Sequence, residues 1–148
     1  MEKLMLERNE EDYYQLEIND KGEYIEFDLT DIGFIERLME GTEKAYEEDR
    51  QYTNEVNKIL DNKEIDKAEK ATLLLQKEKQ YFNTMNKLFD SFLGEGNTNK
   101  IFNGKKCYGQ YLTLLKALEP HFNKMVLQKQ KAKNKLAQRY LRIDSDTL

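Results

Sequence analysis

The sequence predicts a mainly α fold: a small helical bundle carrying an N-terminal β-hairpin. Three observations carry that prediction. Breakers are scarce, with seven glycines and one proline in 148 residues. Charged residues make up 35% and hydrophobic residues 39% of the chain, a balance that suits helices with one buried and one solvated face. Near the N-terminus, however, the apolar period is two, on both sides of a glycine-bearing turn. The length fits one domain and one main core.

Residues 1–12 are polar and acidic, and a flexible terminus is expected there. A single helical domain is expected over 13–141, with the hairpin at 13–29. In the hairpin, Tyr14, Leu16 and Ile18 share one face of the first strand. Asn19-Asp20-Lys21-Gly22 forms the turn, and Ile25, Phe27 and Leu29 share one face of the second strand. Such a hairpin is marginal alone and must rest on the helices. Thr30 or Asp31 offers a side-chain oxygen to cap the first helix, which is expected to run to about Leu60. Its stripe is Ile32, Ile35, Met39, Tyr46, Val56 and Ile59, interrupted by Asp49 and Thr53. Gly41 is a weak point or a site of close packing.

A second long helix is expected from Glu64 to Leu93, joined to the first by a short loop and therefore antiparallel to it. Its stripe runs Ile65, Ala68, Thr72, Leu75, Phe82, Met85, Phe89 and Phe92. A third helix is expected over roughly Lys105–Leu118, with Tyr108, Tyr111, Leu112, Leu115 and Leu118 on one face. Pro120 then suits the first turn of a fresh helix, where its missing amide costs nothing. That helix is expected to reach Leu141 through Phe122, Met125, Val126, Ala132, Leu136 and Tyr140, with Lys129 marking incomplete packing. Residues 142–148 are expected to be a flexible C-terminus.

The net charge of −4 conceals an asymmetry. Residues 1–60 carry 18 acids and 7 bases, whereas residues 119–148 carry 3 acids and 7 bases. Opposite ends could pair within a subunit, between subunits or with a partner. No apolar run approaches the ~20 residues a membrane helix needs. The N-terminus does not have the apolar stretch of a signal peptide. The lone Cys107 excludes an internal disulfide, and a cytoplasmic setting is expected.

Residues 88–104, LFDSFLGEGNTNKIFNG, hold Gly94, Gly96 and Gly104 between two periodic segments. A phosphate loop would need a preceding strand and Lys-Ser or Lys-Thr, but Gly104-Lys105 is followed by Lys106. Calcium ligand offsets are also missing. Gly94 is therefore expected to end a helix in a left-handed cap, with Gly96 continuing the turn. Thr98 would cap one short turn that carries Ile101 and Phe102 to the core. His121 has no companion ligands or placed nucleophile. Glu36/Glu40 and Glu43/Glu47 are i,i+4 pairs, and nothing marks either for acid–base work. No catalytic residue, cofactor or metal is expected.

The stretch from Lys124 to Arg142 could touch phosphates. Its alternating lysines spread around a helix, and the chain as a whole is acidic, which weighs against nucleic acid. Tyrosines offer contact area with a polar handle. Contact candidates are Tyr46, Tyr52, Phe102, Tyr108, Tyr111 and the Lys131–Arg139 segment with Lys135.

Over residues 23–127, the strand-to-helix segment YIEFDLTDIGFIERLMEG, the long charged helix, the LFDSFLGEGNTNKIFNG stretch and YLTLLKALEPHFNKM form a familiar series. Its central motif stands here as Phe89, Asp90, Phe92, Gly94, Glu95, Gly96, Lys100, Ile101, Phe102 and Gly104. Together these resemble the small tail assembly chaperones of long-tailed bacteriophages and prophages of Gram-positive hosts. The basic extension after Val126 is less like the family core. The resemblance implies a mostly helical, non-catalytic protein of the host cytoplasm that is absent from the mature virion. It implies binding to the tape measure protein, with the tail tube protein as a further partner that displaces it, and homo-oligomers. Two other classes stay open: a ring-forming virion structural or adaptor protein, and a small nucleic-acid-binding phage protein using the basic C-terminal helix.

Overall fold

The computed structural model describes residues 1–147, with side chains described through Arg139 and for Leu141. Alternation at the N-terminus produces the expected hairpin, β1 (Tyr13–Glu17) paired antiparallel with β2 (Tyr24–Asp28). The register sets Tyr13 opposite Asp28 and Leu16 opposite Ile25. Asn19 Oδ1 holds the turn by accepting from the amides of Lys21 and Glu23 at 3.0 and 3.3 Å. Gly22 supplies the positive φ of 78° that the turn requires. Ile25, Phe27 and Leu29 are buried, so the hairpin lays its apolar face on the helices.

The helices are α1 (Ile32–Asp61), α2 (Lys67–Leu93), α3 (Asn97–Phe102) and α4 (Gln110–Thr147). Among the described residues this is a small, mainly helical bundle of four helices with an N-terminal two-stranded hairpin. Helices α1 and α2 are antiparallel: Gly41 meets Phe92 at one end, and Tyr52 stacks on Tyr81 further along, with ring centroids 4.3 Å apart. Tyr111 of α4 packs on Tyr81, and Leu136 of α4 shares a groove with Ile32 of α1. Helix α4 therefore runs antiparallel to α1.

The core sits where the three long helices meet the hairpin. Met85, Phe89, Leu93, Tyr111 and Leu29 are its most enclosed side chains. Tyr111 is surrounded by Tyr81, Phe82, Phe89 and Phe102 at centroid distances of 5.4 to 5.9 Å. Its hydroxyl donates to Asn86 Oδ1 at 2.7 Å, which removes the cost of burying it.

Several expectations are corrected. The buried face of α1 is Phe34, Gly41, Ala45 and Tyr52, whereas Ile32, Met39 and Tyr46 of the expected stripe are exposed. In α2, Phe82, Met85, Phe89 and Phe92 are buried as expected, but Ala68, Thr72 and Leu75 are exposed. Helix α2 begins at Lys67, where Asp66 caps it by accepting from the Glu69 amide at 2.8 Å. The two helices expected on either side of Pro120 are one continuous helix with Pro120 inside it. Pro120 and Lys116, four residues back, both lie at exposed positions, where water can take the freed carbonyl. Packing by Leu115 and Leu118 before the proline and Met125 after it holds the helix through the break.

Part of the expected flexible N-terminus is tied down. Arg8 pairs with Glu10 at 2.7 Å and also with Glu26, and its guanidinium lies 3.9 Å from the Tyr13 ring centroid. Gln128 Nε2 donates to the carbonyls of Glu11 and Tyr13, both at 2.8 Å, fastening this segment to α4. At the other end the backbone is helical to Thr147. Expectations placed on the Tyr140 side chain, on Arg142 and on Leu148 lie outside the described residues.

Candidate functional site

The glycine stretch closes on itself. Gly94 ends α2 with φ 103° and ψ 144°, which is not the left-handed cap expected; Gly96, at φ 81° and ψ −9°, is the left-handed residue and precedes α3. Asp90, on the last turn of α2, supplies the carboxylate that this turn needs. Its Oδ2 accepts from the Gly96 amide at 3.0 Å and its Oδ1 from the Thr98 amide at 3.1 Å. The amides that a bound anion would use are thus already engaged by the chain's own carboxylate. Thr98 does not cap α3; it is fully buried and its hydroxyl has no hydrogen-bond partner. Gly104, at φ 73°, donates to the Asn99 carbonyl at 3.0 Å while Asn103 donates to that of Lys100 at 3.3 Å, a Schellman-type end to α3. Lys100 pairs with Glu23 at 3.0 Å and fastens α3 to the hairpin turn. Its ammonium, with help from Asn19, holds the Glu23 carboxyl below the usual range.

The expected contact aromatics divide. Tyr52 and Tyr111 belong to the core of the subunit, not to its surface. Burial, the largest cause at each, pushes both phenols up, and Tyr81 between them is also raised by desolvation and by its hydrogen bond to Asp49 Oδ1 at 2.8 Å. Asp49, an interruption in the apolar stripe, is therefore the acceptor for a buried tyrosine. Phe102 is half-buried with its edge on Tyr111. Tyr108 and Tyr46 stay open, at 85% and 47% exposure. His121 Nδ1 and the Tyr14 hydroxyl lie 2.7 Å apart, a bond between α4 and β1. Cys107 is exposed.

Lys131, Lys135 and Arg139 are all exposed on α4. Lys135 is paired with Glu11 at 2.6 Å; Lys131 and Arg139 have no ion-pair partner among the described residues. Beside them lies a groove of about 490 Å³ between the N-terminal segment, the start of α1 and α4. Leu29, Ile32, Ala132 and Leu136 give it apolar lining; Lys129, Lys133, Lys135 and Arg139 line its α4 side, and Glu11 and Asp12 its N-terminal side. The sequence offered one signal for it. The core stripe of α4 continues through Lys129, Ala132 and Leu136 beyond the last fully packed residue, Met125. A second surface is the outer face of α1, where Ile32, Met39 and Tyr46 recur at seven-residue steps and are exposed by 68, 68 and 47%. Glu36, Glu40, Glu43 and Glu47 flank them, all exposed and in no ion pair among the described residues.

This arrangement can present charged and apolar helix faces to other chains. Among the described residues no group of three or more His, Cys, Asp or Glu side chains is placed to hold a metal ion. Nor is any of the described helices long and apolar enough to cross a membrane. No curated protein and no solved structure matches the chain. The sequence model of the family described as "Family of unknown function (DUF6673)" matches residues 21–146, and the chain belongs to that family.

Proposed function

We propose that this protein is a non-enzymatic tail assembly chaperone of a long-tailed phage or prophage. It binds the tape measure protein in the host cytoplasm, keeps it soluble until the tail tube polymerises, and is absent from the mature virion. The observation that carries this reading is the resemblance over residues 23–127, centred on the Phe89 to Gly104 segment. The role of that segment in the fold is compatible with it: Phe89 and Phe92 enter the core, and Asp90 closes the loop amides. What remains for function is surface. Exposed apolar stripes flanked by charge suit a helical client, whose own apolar stripe they can cover. Release to the tail tube protein requires weak individual contacts made strong by copy number.

The test is co-expression with a tape measure protein, followed by pull-down and light scattering. A soluble complex is expected, with aggregation of the client when this chain is absent. A client that stays soluble alone and does not bind would overturn the proposal. If the chain by itself then formed a stable closed ring, a structural adaptor would take its place.

A further inference from the structure

The exposed glutamates of α1 and the basic side chains of α4 are opposite in charge, and among the described residues no ion pair joins them within one subunit. Helix α4 runs antiparallel to α1 and reaches the level of Ile32 at Leu136. Beyond that point it continues past the start of α1. Lys133 and Lys131 precede Leu136 and stand about 5 to 8 Å along α1 from Ile32, whereas Glu43 and Glu47 stand about 16 to 23 Å along it, beyond their level, at the helical rise of ~1.5 Å per residue. The acidic face spans Glu36 to Glu47 and the basic arm Lys129 to Arg139, each about 15 to 17 Å long on the same rise. The arm carries Lys133 and Arg139 three residues either side of Leu136, with no acid between Pro120 and Arg142. The α1 face carries Glu40, Glu43 and Glu47 beside Met39 and Tyr46.

We propose that the α4 arm of one copy docks along the exposed α1 face of another copy, Leu136 covering Met39 and Tyr46 while Lys133 and Arg139 meet the glutamates. Such a contact joins two different patches, so it is heterologous and propagates into a closed ring or an open chain of subunits. It gives a role to Met39 and Tyr46, which are exposed on α1. It also explains why α4 continues well past the core. The contact is independent of which client the protein binds. Its charges lie at the rim and desolvate little, so it is salt-sensitive and reversible.

Sedimentation velocity over a concentration series tests it, on the full chain and two charge-reversed variants. One is K133E/R139E; the other is E40K/E43K/E47K. All five positions are exposed, and unchanged circular dichroism confirms the fold of each. Wild type is expected to self-associate at low salt and dissociate as salt rises. Each variant alone is expected to associate at least about ten-fold more weakly, the usual reach of rim charges. Mixed in equal amounts, the two variants are expected to assemble again, because each then offers the other an opposite face. Wild-type protein that stays monomeric throughout, variants that associate like wild type, or a mixture that does not assemble would each overturn the proposal. So would a monomer whose arm shifts a labelled DNA duplex, since nucleic acid would then be its occupant.

Discussion

The ring of Phe92 occupies the space that a side chain at Gly41 would need: a Cβ there would lie 2.6 Å from Phe92 Cδ1 and 2.9 Å from Cε1. Phe92 is itself buried, with Phe89 at 5.2 Å between ring centroids, so it has little room to retreat. Glycine at this position is the condition for the close approach of α1 and α2.

Gly41→Ala is therefore expected to destabilise the protein although it favours helix. The propensity gain is about 1 kcal/mol, while overpacking a filled core costs roughly 1–3 kcal/mol. A net loss of about 1 kcal/mol in urea denaturation is expected. In a Phe92→Leu background the same change is expected to turn neutral or stabilising, because the obstructing ring edge is gone. An equal cost in both backgrounds would show that the two residues do not compete for space.

Asp90 fastens the turn between α2 and α3 through two charge-assisted hydrogen bonds. Asp90→Ala is expected to cost about 1–2 kcal/mol, the scale of a lost capping side chain. The loss should be local first. Amide hydrogen exchange at Gly96 and Thr98 is expected to speed up, while exchange in the centre of α2 stays protected. Uniform acceleration throughout the chain would argue against a local fastening.

How much of this was legible in the sequence depended on whether packing followed hydrophobicity. The hairpin was legible because Leu16, Ile25, Phe27 and Leu29 alternate and the turn residues are distinctive. The second half of α2 was legible because large aromatics repeat there. The face of α1 was not. Gly41 and Ala45 line the helix contact by being small, and smallness carries no apolar signal. The stripe of Ile32, Met39 and Tyr46 was seen, but nothing local distinguishes a core stripe from an unpartnered one. Tyr52 and Tyr111 read as contact candidates because tyrosine offers contact area with a polar handle, yet both are buried. Their environment comes from residues far away: Tyr111 reaches Asn86, 25 positions off. Pro120 implied a helix start because a proline inside a helix is costly. Here tertiary packing on both sides outweighs that cost, a balance invisible before the fold is known.

The buried tyrosines set an alkaline limit. Tyr52, Tyr81 and Tyr111 are held above their ordinary value of 10.0, chiefly by burial. The neutral phenol is the form the folded state favours. Below the unfolded value of about 10 both states are protonated and the stability is fully present. As pH rises above it the unfolded state ionises first, so stability falls. Cooperative unfolding is expected above about pH 10. Tyrosinate absorbance from these three rings should appear together with loss of helical circular dichroism. Full tyrosinate absorbance with the helix signal intact would show that they are not enclosed. Tyr81→Phe is expected to move the transition to higher pH at the expense of the bond to Asp49.

Thr98 supplies the last expected outcome. Its side chain is fully buried and its hydroxyl has no partner. An unpaired buried polar group costs roughly 1–3 kcal/mol relative to one that is paired or absent. Thr98→Val replaces that hydroxyl with a methyl of similar size and leaves the backbone amide free to donate to Asp90. It is expected to stabilise the protein by about 1 kcal/mol in chemical denaturation, part of the gain from removing the unpaired hydroxyl being offset by the tighter fit around a second methyl. Thr98→Ser makes the opposite change, keeping the hydroxyl and deleting the methyl. It is expected to lose about 1 kcal/mol through the small cavity left behind. The pair separates two explanations of the site. If valine destabilises and serine is neutral, the hydroxyl must be bonded, through a water or a shifted rotamer, and the turn after Asp90 is held by three side-chain contacts instead of two.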